Sequence, residues 1–143
     1  MADAQGPLPS GTMSFHPDLQ TTLDRFARAW NTDDGDERWQ LVHAVAAPEV
    51  TYTDPHSQKP VAGQAALTAF MALFREQVGW QFAFTAAPDG HHEWIRIPWR
   101  LTDMAGSEMA TGLLVATLDR DVRFTRLVDF VDPEEPERPG WIR

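Results

Sequence analysis

Residues 50–55, Val50-Thr51-Tyr52-Thr53-Asp54-Pro55, decide how the chain is read. Val50 and Tyr52 alternate with Thr51 and Thr53, the period of a short half-buried strand. Pro55 stops that strand, because proline has no N–H to give to a ladder. Asp54 is therefore a carboxylate fixed at the end of a rigid element. The stretch His56-Ser57-Gln58-Lys59-Pro60 is a loop, and Gly63 opens a helical pattern with Leu67, Phe70, Met71 and Phe74 on one face. Gly79 ends it.

Upstream, a helix starts at Pro17, where proline suits the first helical position and Asp18 opposes the helix dipole. Leu19, Leu23, Phe26, Ala27 and Trp30 form its apolar stripe. Asn31 to Gly35 break the pattern. Asp34 caps a second helix, with Trp39, Val42, Val45 and Ala46 expected inside and Pro48 closing it. Downstream the pattern turns to strands, expected near residues 80–85, 91–102, 108–118 and 122–131. Pro88-Asp89-Gly90, Asp103 to Gly106 and Asp119-Arg120-Asp121 make the turns. Three helices followed by consecutive antiparallel strands is an α+β arrangement. Several strands are apolar on both faces, so the sheet needs a cover besides the helices. A second copy of the chain, as a homodimer through the open sheet face, is the simplest cover.

At 143 residues the chain is read as one domain over 15–133. Residues 1–14, rich in proline and glycine, are expected to be a disordered extension. Residues 134–143 are expected to be a charged tail that Trp141 and Ile142 tack down. Twelve Lys and Arg against 21 Asp and Glu give a net charge of −9. So acidic a chain repels phosphate backbones, which excludes nucleic acid as the expected partner. No run of about 18 apolar residues is present, so no membrane span is expected. No secretory signal is visible, and the expected location is cytoplasmic. The absence of cysteine excludes disulfide, thiol and cysteine-metal chemistry. Six tryptophans and eight phenylalanines against one tyrosine suit a core and a small-molecule cavity.

The order helix, helix, short strand ending Tyr-Thr-Asp-Pro, helix, then long strands resembles the nuclear transport factor 2-like superfamily. The residues that carry the resemblance are Val50 to Pro55, Val61 to Leu67, and Arg126-Leu127-Val128-Asp129-Phe130-Val131-Asp132-Pro133. The group includes ketosteroid isomerase, limonene epoxide hydrolase and the SnoaL-like polyketide cyclases. It implies a curved antiparallel sheet wrapped round three helices to leave a conical apolar pocket, often in a dimer. It also implies a cofactor-free, acid–base enzyme acting on a small apolar molecule: an isomerase, cyclase, hydrolase or lyase. A non-catalytic binding or scaffold module of the same fold is the alternative.

Asp54 matches the general base of ketosteroid isomerases, and its other reading is an Asx turn before Pro55. Asp129 matches the acid or base on the last strand of the hydrolase and the cyclases, and its other reading is a structural ion pair. His56 is a proton-transfer partner for Asp54 or an exposed loop residue. The resemblance puts Phe26 and Leu114 where a steroid isomerase needs a tyrosine and an acid, which disfavours steroid isomerisation. It puts Ile97 and Trp99 where the hydrolase needs its arginine and second aspartate. Phe26, Trp30, Phe70, Phe74, Trp99 and Leu114 are the expected pocket lining, with Tyr52 as the only phenolic donor. Arg96 and Arg100 are either an anion clamp or interface arginines that stack on aromatics or pair with acids. His91 and His92 should point to opposite faces of a strand and so not share a metal. No metal and no cofactor are expected. Asp54 and Asp129 pKa values raised above the ordinary carboxylate range favour the enzyme, and lowered ones favour ion pairs.

Overall fold

The structure, a computed structural model, describes residues 17–133. The expected N-terminal extension and the charged C-terminal tail with Trp141 and Ile142 lie outside those residues. The elements are α1 (Pro17–Asn31), α2 (Gly35–Val45), β1 (Ala46–Thr53), β2 (Val61–Ala62), α3 (Gln64–Gln77), β3 (Gln81–Phe84), β4 (Asp89–His91), β5 (Trp94–Thr102), β6 (Glu108–Leu118) and β7 (Phe124–Val131).

The local chemistry of these elements is legible. Asp34 caps α2, its side chain accepting from the amides of Asp36 and Glu37 at 3.0 and 3.2 Å. Gly79, at φ 74°, closes α3 in the left-handed region that glycine enters without strain. Arg38 is buried between the first two helices. Its guanidinium donates to the Ala29 carbonyl at 2.9 Å and to the Thr32 carbonyl, satisfying acceptors that the end of α1 leaves open.

The strands run in the order β2-β1-β7-β6-β5-β3, with β4 pairing β5 beside β3. The sheet is curved, and it is not closed. It is also mixed rather than antiparallel throughout, because β1 runs parallel to β7. The long connection from β1 through α3 to the hairpin strands makes that pairing possible.

Other boundaries differ from the sequence reading for identifiable reasons. Pro48 does not close α2; the helix ends at Val45, and Pro48 lies inside β1. There the register against β7 slips between Ala46 and Thr51, so the missing N–H breaks no ladder bond. Trp39 is not on the inner face of α2; it is 47 % exposed. The expected strand 91–102 is broken by a turn at His92, with φ 55°. Pro98 falls where the edge of β5 changes partner, after β4 and before β3, which is the gap a strand proline needs.

On the inner face of the sheet Val50, Ile95, Ile97, Leu114, Ala116, Phe124 and Leu127 are buried against Leu19, Leu23 and Phe26 of α1 and Leu67 and Met71 of α3. The outer face leaves Trp94, Met109 and Phe130 exposed, with the Arg126 guanidinium 5.0 Å from the Trp94 ring centre. Arg96 and Arg100 also lie on this outer face. Arg96 is bound to Asp89 at 2.8 Å, and neither arginine lines the cavity on the inner face. Among the described residues no helix is long and apolar enough to cross a membrane.

Candidate active site

At one end of the inner face the helices and sheet do not meet, and a cavity of about 350 Å³ remains. Its aromatic wall is Trp30 from α1, Tyr52 from β1, Phe70 and Phe74 from α3, Phe82 from β3, Trp99 from β5, and Trp80 ahead of β3. Val78, Leu101, Ala110 and Val131 add aliphatic surface. The polar groups that line it are Asp54, His56, Asp129 and the Tyr52 hydroxyl.

Asp129 is set on the inner face of β7, opposite Leu114 of β6. Two donors from two other strands converge on it. Tyr52 Oη lies 2.8 Å from Asp129 Oδ2, and Trp99 Nε1 donates to Oδ1 at 3.0 Å. Trp99 reaches across the intervening strand because its partner there is Gly112. A Cβ at Gly112 would come within 2.2 Å of both the Trp99 ring and the Phe130 carbonyl oxygen. The bare position on β6 is thus what lets an indole on β5 bond a carboxyl on β7.

Asp54 stands at the end of β1, and Tyr52 Oη lies 3.1 Å from its Oδ2. Its Oδ1 accepts from the backbone amides of His56 and Ser57 at 2.8 and 2.9 Å. The Asx turn and the cavity-facing position anticipated as alternatives therefore coexist in one carboxylate, one oxygen serving each. His56 is exposed at the rim, and its contact with Asp54 is through its backbone amide.

Desolvation raises the pKa of Asp129 to about 7. The hydrogen bonds from Tyr52 and Trp99 pull it down, the Asp54 charge pushes it up, and burial wins. The Tyr52 phenol is driven far above its ordinary range, first by burial and then by the two negative neighbours. It stays a neutral donor at any physiological pH.

Other expected site residues fall elsewhere. Phe26 is a core residue off the cavity wall, 5.1 Å from Phe124 and 6.0 Å from Phe82 between ring centres. Leu114 is likewise buried beside Asp129 on the neighbouring strand and does not line the cavity. His91 and His92 do not diverge as strand neighbours would. The left-handed turn at His92 brings their ring nitrogens to 3.1 Å at an exposed site far along β5 from the cavity end. Among the described residues no cluster of three acidic or histidine side chains has the geometry to hold a metal ion. The sequence reading counts Phe82 and Trp80 among aromatics that are mostly core, with some on the cavity wall, and does not name Leu101 and Ala110 as lining. It also missed the donor role of Trp99, for which Gly112 opposite an aromatic was the available signal.

No family model matches the sequence, and no curated protein matches it. The fold has clear likenesses among solved structures. A candidate isomerase of the SnoaL-like family from Agrobacterium tumefaciens is 29% identical, with a TM-score of 0.73 over 82% of this chain and 100% of that one. The chain has the fold of the nuclear transport factor 2-like superfamily. Two further solved structures share its fold at lower identity. One is a candidate ketosteroid isomerase from Kribbella flavida, 19% identical, with a TM-score of 0.64 over 92% of this chain and 90% of that one. The other is a candidate SnoaL-like polyketide cyclase from Jannaschia sp. CCS1, 18% identical, with a TM-score of 0.60 over 85% and 92% of the two chains.

Proposed function

We propose that the protein is a cofactor-independent acid–base enzyme of the SnoaL-like type. It moves a proton on a small apolar molecule held in the conical cavity, as an isomerase, cyclase, hydrolase or lyase does. The observation that carries this reading is Asp129. It is a carboxyl whose proton affinity sits near neutral pH, on the wall of an open apolar cavity. General acid–base catalysis is most effective when the group's pKa lies near the working pH. A carboxylate retained only for a structural ion pair would be shifted the other way, and among the described residues Asp129 is held by neutral donors.

Asp129 is the group we assign to proton transfer. Trp99 and Tyr52 orient its two oxygens, and Asp54 supports Tyr52 from the rim. The aromatic wall excludes water and binds a flat apolar substrate. Tyr52 and Trp99, the two neutral donors, are spent on Asp129, so a steroid-isomerase arrangement with a vacant oxyanion site is not favoured here.

The test needs no known substrate. Small cyclic ketones and enones incubated in D2O with the protein are followed by proton NMR for exchange at the carbon next to the carbonyl. Exchange above the buffer rate that vanishes in Asp129→Asn is expected. Exchange that is equal in the variant, or absent across the panel, contradicts the reading. For the partner, exposed Trp94, Met109 and Phe130 support a second copy on the outer sheet face. Sedimentation should then give a dimer that Trp94→Glu dissociates.

A further inference from the structure

The three oxygens Asp129 Oδ2, Tyr52 Oη and Asp54 Oδ2 form a line with separations of 2.8 and 3.1 Å. A phenol owns one proton and can fill one of these contacts. With both carboxyls ionised, the other contact sets two lone pairs against each other. A second proton on either carboxyl satisfies both contacts at once. The line is then either Asp129–H to Tyr52–H to Asp54, or the reverse. The two arrangements differ only by short proton hops along existing hydrogen bonds; the heavy atoms stay in place.

The ends of this line are not equivalent. Asp129 lies on the apolar inner wall, where a substrate filling the cavity would cover it. Asp54 stands at the strand end beside exposed His56, with its other oxygen fixed by two backbone amides. Tyr52 between them is buried at 3 % exposure and cannot ionise. The titratable groups lining the cavity are Asp54, Tyr52, His56 and Asp129, so no lysine or arginine in the wall neutralises either acid.

Resting on the acid–base reading above, we infer that Tyr52 is a proton relay joining Asp129 and Asp54 into one base with an exit at the rim. When Asp129 takes a proton from a substrate carbon, its Oδ2–H bond forms as the C–H bond breaks. The proton on Asp129 then passes to Tyr52 Oη as the Tyr52 proton passes to Asp54 Oδ2. Asp129 is again a carboxylate, Tyr52 is again a phenol, and Asp54 carries the proton to solvent. The base is thereby reset while the product still seals the cavity. Asp54, which resembles the base of related enzymes by position, becomes the acceptor at the far end.

The experiment is carboxyl carbon NMR titration of the full chain labelled at aspartate, for wild type, Tyr52→Phe and Asp54→Asn. Phenylalanine keeps the buried ring and removes only the hydroxyl. In wild type the Asp129 and Asp54 signals should both move in the Asp129 titration, because they share the proton. In Tyr52→Phe that shared response should disappear from Asp54. The Asp129 midpoint should rise, since a donor to its carboxylate is lost. In Asp54→Asn the Asp129 midpoint should fall by about one pH unit, as expected when a strongly coupled partner is removed. An Asp54 signal blind to the Asp129 step in wild type, or a shared step that persists in Tyr52→Phe, overturns the relay. Failure of the catalytic reading is separate: a coupled titration in a protein with no exchange activity removes the enzyme and leaves the shared proton. Activity lost in Asp129→Asn with uncoupled titrations removes only the relay.

Discussion

The inner face of the sheet has a closed end and an open end, and β7 runs from one to the other. Phe124 and Leu127 near its start are sealed, at 0 % and 1 % exposure. Phe26 of α1 packs there against Phe124, Phe82 and Phe84, with ring centres 5.1 to 6.1 Å apart. Two residues beyond Leu127 the same face presents Asp129 to the cavity. The residue types on either side hardly differ; both ends are aromatic and aliphatic. The difference is whether α1 and α3 send enough side chain to fill the space. At the closed end a phenylalanine on α1 does so. At the open end Phe70 and Phe74 each pack edge-on against Trp30 and leave the gap. The sealed core is concentrated at the first end and the carboxyls at the second.

Substitutions should separate the ends. Asp129→Asn should lower exchange of the best ketone by roughly 10²- to 10⁴-fold, the usual worth of a positioned acid–base group, measured as the turnover rate. Phe26→Ala should cost about 3–5 kcal/mol in denaturant unfolding, as large core truncations do. It should leave the Asp129 titration unchanged, because Phe26 packs behind Phe82 and Trp30 of the wall and contacts neither Asp129 nor its two donors. Gly112→Ala should cost about 1–3 kcal/mol through overpacking against Trp99 and the β7 backbone. It should also shift the Asp129 titration, because the Trp99 bond is displaced. A Phe26 variant that moved the Asp129 titration would break the division between the ends.

The smallest expected effect is a gain. In the folded chain the Asp129 pKa is raised from an ordinary 3.8 to about 7. The folded state therefore binds more protons than the unfolded state between those values, and stability falls as pH rises through that window. Asp129→Asn should remove this loss. The variant should be more stable than wild type at pH 8, by about 2 kcal/mol after allowing for lost hydrogen bonding, and little changed at pH 4. Thermal unfolding at the two pH values checks it.

The sequence carried the helix stripes, the Asp34 cap and the short strand into Asp54 because those signals are local. It placed Asp54 and Asp129 in one cavity through the order of elements and the resemblance that order supports. It misplaced Phe26 and Leu114 because an inward-facing position does not say which end of the core it faces. That depends on how far each helix lies along the sheet, which no periodicity encodes. The parallel pairing of β1 with β7 was hidden for a similar reason, since the two strands are far apart in sequence. The convergence of Tyr52 and Trp99 on one carboxyl needed the register of three strands, although Gly112 among the apolar residues of β6 marked where a close approach occurs.

The most direct measurement is the carbon NMR titration of the Asp129 carboxyl, assigned by its loss in Asp129→Asn. A midpoint near pH 7 is the result this structure predicts. A midpoint at or below about 4, the value of an unperturbed aspartate, would contradict it and leave the cavity without its base.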